Sequence, residues 1–122
     1  MDIYYDITNQ YEKDLRKLSV ANQEKVEDVI NKTFELYAIN KTLPSTKVYR
    51  PCKVKLPHGI ESSLFVLRIP RDIRIIFSID EDVLYNKTVV TLFRVVRRDK
   101  LEASFHSIIE SIYQWSKNTL EE

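Results

Sequence analysis

The sequence predicts an α+β domain, in which an N-terminal helical hairpin packs on an antiparallel sheet of about four strands and a C-terminal helix follows. Three observations lead there. Apolar residues recur at helical spacing in the first third of the chain, the middle switches to short β-branched and aromatic runs, and the helical period returns after about Asp99. Strands that follow one another through short turns pair antiparallel, and their separation from the helices gives the class. The 122 residues suit one domain, 1–122, and leave no room for two.

The first helix is marked by Tyr11, Leu15 and Leu18, which fall at i, i+4 and i+7, with Thr8 or Asn9 able to cap it. Residues 19–22 break that pattern. A second helix over about 21–39 places Val26, Val29, Ile30, Phe34 and Tyr37 on one side. So short a connection makes the pair an antiparallel hairpin. A loop over 40–46, broken by Pro44, leads to short extended segments at 47–50 and 53–56, limited by Pro51 and Pro57. His58-Gly59, with the chain's one glycine, predicts a turn. Residues 63–69 and 73–79 form a hairpin through Pro70-Arg71-Asp72. Asp80-Glu81-Asp82 is expected to make the next turn, with a small ladder at 83–85 and a last strand over 88–96. Leu101, Phe105, Ile108, Ile109, Ile112 and Trp115 then make an apolar stripe that packs on the sheet; it is too short for the sustained heptads of a coiled coil. The tail after Ser116 is expected to fray.

Nineteen basic residues against eighteen acidic ones give a net charge of +1, less basic than most nucleic-acid binders. The charges are segregated, however. Acidic residues cluster toward both ends, while Lys47, Arg50, Lys53, Lys55, Arg68, Arg71, Arg74, Arg94, Arg97, Arg98 and Lys100 gather in the middle, so a near-neutral molecule can carry one basic face. Cys52 stands alone and excludes an internal disulfide. No secretory leader pattern or long apolar run is visible, so a cytoplasmic protein with no membrane span is expected. One glycine cannot build a phosphate loop, and one cysteine with His58 and His106 cannot make a structural zinc site. No metal or cofactor is expected.

What remains is arginine on strands. Alternation puts Arg68 with Val66, and Arg74 with Ile76 and Ser78, on the face opposite the core set Ile73, Ile75, Phe77 and Ile79. That second face is expected to be solvated. One arginine there is ordinary, but Arg68, Arg71, Arg74, Arg97 and Arg98 converge on neighbouring strand ends. Guanidinium groups match phosphate oxygens bidentately and keep their charge, which suits a developing phosphorane.

The segments Tyr11-Glu12-Lys13-Asp14-Leu15-Arg16-Lys17-Leu18, Leu67-Arg68-Ile69, Ile73-Arg74-Ile75-Ile76-Phe77 and Val95-Val96-Arg97-Arg98-Asp99 together resemble the RelE/ParE toxin superfamily. The resemblance runs from about Tyr4 to Phe105. It implies a toxin of a toxin–antitoxin pair that inhibits translation as a metal-independent mRNA endoribonuclease, often ribosome-dependent, through attack of the 2′-hydroxyl on the adjacent phosphate. By the same resemblance Arg74 and Arg98 contact the scissile phosphate, with Arg68 nearer the rim; Arg71 and Arg97, converging on the same strand ends, and Lys53 and Lys55, from the preceding strand, complete the expected RNA-binding set. The implied partners are a cognate antitoxin, RNA and, through the antitoxin, operator DNA.

This chain departs from the family pattern. Leu64 and Val66 stand where RelE has lysines before the hairpin arginine, and Lys53 and Lys55 are the available substitutes. Arg97 stands where many members have histidine, and the tyrosine RelE carries beyond the last strand falls near Ser104 and Phe105. His106 is the nearest group able to exchange a proton near neutral pH, but it lies off the 101/105/108/112 stripe, which equally suits an exposed position. The same fold also admits a ParE-like inhibitor of DNA gyrase, or a binding member without catalysis.

Overall fold

Thr8 and Ser19 start the two N-terminal helices. The computed structural model describes residues 2–50 and 64–121, with side chains as far as Ser111. The Thr8 hydroxyl accepts from the Tyr11 N–H at 3.1 Å, opening α1 (Asn9–Arg16), and the Ser19 hydroxyl accepts from the Asn22 N–H at 3.2 Å, opening α2 (Val20–Asn40). At the far end of α2, Lys41 takes up a left-handed conformation with φ 57°, and its N–H donates to the Tyr37 carbonyl. Before these helices comes β1 (Asp2–Ile7); after them come β2 (Val48–Tyr49), β3 (Leu64–Ile69), β4 (Ile73–Asp82) and β5 (Lys87–Arg97). A 3-10 turn (Arg98–Lys100) then leads into α3 (Leu101–Glu121), which is assigned beyond the Ser116 where fraying is expected. The expected strand at 53–56 and the turn at His58-Gly59 lie outside the described residues.

The sheet corrects the sequence reading. It has five strands in the order β1-β5-β4-β3-β2, and it is mixed: β1 runs parallel to β5, from Asp2 opposite Lys87 to Ile7 opposite Leu92, while the other pairs are antiparallel. Five of the six β1 residues are exposed, so the segment lacks the inside–outside alternation by which strands are recognised. A second correction concerns the β4–β5 turn. Asp80, Glu81 and Asp82 extend β4 and pair with Val89, Thr88 and Lys87, so the turn falls at 83–86, where Asn86 adopts φ 50°. Their acidity marks a strand end reaching solvent. The Pro70-Arg71-Asp72 hairpin turn is as expected, with Ile69 opposite Ile73.

Both faces of the sheet are covered. Leu67, Ile69, Ile73, Ile75 and Phe77 pack with Tyr11, Val26, Ile30 and Phe34 of the helical hairpin, and the Phe34 and Phe77 rings meet edge to face at 5.3 Å. On the other face Leu64, Val66 and Ile76 pack against Phe105 and Ile109 of α3, with Leu101 and Ile108 beside them. The expectation of a solvated face for Arg74, Ile76 and Ser78 is therefore overturned: Ile76 is 0% exposed and Ser78 6%. Alternation tells which residues share a face, but not whether a distant helix lies on it. Strands apolar on both sides, as β3 and β4 are, belong between two layers.

Candidate functional site

Where the α3 cover ends, the sheet's cations begin. Arg68 on β3 stands directly opposite Arg74 on β4, two residues beyond the buried pair Val66 and Ile76. Arg98 enters from the 3-10 turn after β5, held by its backbone N–H, which donates to the Asp72 carbonyl at 2.7 Å. These three arginines line one cleft of about 540 Å³ with Tyr49, Leu101 and Glu102. Side chains from β2, β3, β4 and the start of α3 thus meet at one end of the sheet.

The cleft's arginines are oriented by contacts to uncharged groups. The Arg68 guanidinium lies over the Tyr49 ring, 4.3 Å from its centroid, an arrangement that orients the cation and leaves its N–H groups available. Arg74 Nη1 donates to the Ile73 carbonyl at 3.0 Å and to the Arg71 carbonyl at 3.3 Å, which ties it to its own turn. Among the described residues no carboxylate forms an ion pair with Arg68, Arg74, Arg97 or Arg98. Like charges set directly opposite on a sheet repel, so the Arg68–Arg74 pair is unfavourable until an anion lies between or above them. A phosphate, with several oxygens to share among three guanidinium groups, fits that requirement.

Arg94, part of the same cationic bias in sequence, is committed elsewhere. Its Nε donates to Asp14 Oδ2 at 2.7 Å and its Nη2 to Oδ1 at 3.2 Å. Asp14 also accepts from the Val95 backbone N–H at 3.0 Å and from Gln10 at 3.0 Å. β1 stops pairing with β5 at Leu92, and this carboxylate from α1 takes over the strand's hydrogen bonding a few residues further on. Burial pushes the Asp14 carboxyl up, but hydrogen bonds from Arg94, Gln10 and the Val95 N–H outweigh it and hold the group below the usual carboxylate range.

The remaining expected site residues are dispersed. Arg97 is exposed and lines an adjoining cavity with Asp72, Arg98 and Asp99. Arg71 is exposed in the hairpin turn, contributing its carbonyl to Arg74. His106 is exposed on α3 and is not among the residues that line the cleft. Lys53 and Lys55 lie outside the described residues. Two cleft residues were not singled out from sequence. Tyr49 could have been found by parity, since Val48 faces the core opposite Leu67 and its neighbour must face the other way. Glu102 stands four residues after Arg98, one helical turn, which is a usable signal once α3 is known to start there.

Among the described residues no group of three His, Cys, Asp or Glu side chains is arranged to hold a metal ion, and no helix is long and apolar enough to cross a membrane. No protein-family model matches the chain. No curated protein matches it either.

Proposed function

We propose that the arginine cleft binds the backbone phosphate of RNA and promotes its cleavage, which would make the chain an mRNA endoribonuclease and the toxin of a RelE/ParE-type toxin–antitoxin pair acting in the cytoplasm. One observation carries the reading: Arg68 and Arg74 of the β3–β4 hairpin and Arg98, which follows β5, share a cleft with no ion-paired carboxylate among the described residues. The sequence resemblance singles out those three residues independently. Aromatic Tyr49 beside them adds a surface on which Arg68 or an unstacked base can lie. In this reading Arg74 and Arg98 stabilise charge gathering on the scissile phosphate and Arg68 positions the strand. A cognate antitoxin would hold the toxin inactive by covering this face with acidic residues, and the pair would contact operator DNA through the antitoxin.

The test is cleavage of single-stranded RNA and of ribosome-bound mRNA by purified protein, with Arg74→Ala and Arg98→Ala alongside. The reading expects cleavage by the parent and its loss in both variants. It fails if the parent leaves RNA intact, or if both variants cut as fast as the parent. A second reading keeps the fold and the anion site but drops cleavage, and the exposed position of His106 away from the cleft favours it. A ParE-like inhibitor would block supercoiling by DNA gyrase while leaving RNA whole, so a gyrase assay separates the two.

A further inference from the structure

We infer that Glu102 is the proton acceptor of the arginine cleft, an assignment that rests on the ribonuclease reading above. Attack by a 2′-hydroxyl needs a group that takes up its proton, and an arginine, charged at every working pH, cannot. The described lining of the cleft is Tyr49, Arg68, Arg74, Arg98, Leu101 and Glu102. Only the carboxylate and the phenol among these exchange protons, and an ionised carboxylate is the acceptor of the two.

Placement supports the assignment. Glu102 is exposed in the first turn of α3, one helical turn after Arg98, so base and phosphate clamp belong to one continuous segment anchored to Asp72. No ion pair involving Glu102 is formed among the described residues, which leaves its oxygens uncommitted. The charged and titratable groups sharing its cleft are Arg68 from β3, Arg74 from β4, Arg98 from the 3-10 turn and Tyr49 from β2. No second carboxylate lines the cleft among the described residues.

The step balances with water alone. The O2′–P bond forms as the 2′-hydroxyl proton passes to a Glu102 oxygen, the P–O5′ bond breaks, and the departing O5′ takes a proton from water at the open rim. Glu102 then returns its proton to water. The products are a 2′,3′-cyclic phosphate and a 5′-hydroxyl.

A carboxylate in the first turn of a helix also steadies the helix dipole, so the test separates proton transfer from that role. The full chain is compared with Glu102→Gln and Glu102→Asp on a single-stranded RNA oligonucleotide and on ribosome-bound mRNA. Single-turnover cleavage, RNA affinity, thermal midpoint and the pH–rate profile are measured. Glu102→Gln should cut at least ~100-fold more slowly, bind RNA as tightly as the parent or tighter, and have a pH–rate profile that differs from the parent's. Glu102→Asp should recover part of the rate. Parent-like cleavage by Glu102→Gln overturns the assignment while sparing the ribonuclease reading. Equal losses in Gln and Asp variants, accompanied by a lower thermal midpoint, overturn it in favour of a structural role. A parent that binds RNA but never cuts it overturns both.

Discussion

β5 and the residue after it carry two arginines that meet opposite fates. Arg94 is matched to Asp14 by two hydrogen bonds, half-buried and locked, while Arg98 emerges into an open cleft beside two more cations and no ion-paired acid among the described residues. The first arrangement spends a cation on holding α1 against the sheet. The second keeps cations unneutralised at some cost in repulsion. Charge is therefore committed to the fold where Asp14 meets Arg94, and left without an ion pair among the described residues where Arg68, Arg74 and Arg98 meet. The near-zero net charge conceals that division.

The largest effect should break the cleft side of the comparison. Arg74→Ala and Arg98→Ala should each slow RNA cleavage by about 100- to 1000-fold, equivalent to about 3–4 kcal/mol, while the urea midpoint stays close to the parent's. A matching drop in stability would show that these arginines, like Arg94, hold the fold. Next in size is the paired side. Asp14→Ala leaves the Val95 N–H and the Arg94 guanidinium without their acceptor and should lower unfolding free energy by about 2–3 kcal/mol. An unchanged denaturation midpoint would remove Asp14 from any structural role.

The same pair predicts a pH dependence. The folded Asp14 carboxyl titrates below its unfolded value of about 3.9, so its contribution is fully present above that pH and fades as pH falls through the folded value. The stability gap between parent and Asp14→Asn should therefore be wide at pH 6 and narrow toward pH 2. A gap independent of pH would contradict the linkage. The smallest effect is a gain: Arg68→Gln removes the like charge opposite Arg74 and should raise stability by about 0.2–1 kcal/mol while weakening RNA binding. Loss of stability instead would mean that the Arg68–Tyr49 contact outweighs the repulsion.

The helices and the β3–β4 hairpin were legible because their signals are local. The Thr8 and Ser19 hydroxyls accept from N–H groups only three residues on, and Pro70-Arg71-Asp72 turns between two β-rich runs. β1 was not legible, since its backbone pairs with a strand about eighty residues further along the chain. The arginine cluster could be read from alternation along β3 and β4, yet Tyr49 and Glu102 reach it only through the packing of β2 and α3. The same long-range step hid the burial of Ile76 and Ser78 and left His106 as a candidate that the fold keeps out of the cleft. Arg94 shows the converse, a cation that looks like its neighbours in sequence until α1 brings Asp14 to it.

The parallel pairing of β1 with β5 also sets a schedule for the ribosome that makes this chain. Residues 2–7 emerge well before their partner strand, 87–92, which is made about eighty residues later. Arg98 and Glu102 follow later still. A nascent chain that has completed β4 already displays Arg68 and Arg74, yet it has neither the third cation nor a partner strand for β1. The cleft thus comes into being only once Arg98 and Glu102 have been made, and translation that stops short of β5 releases a product without it.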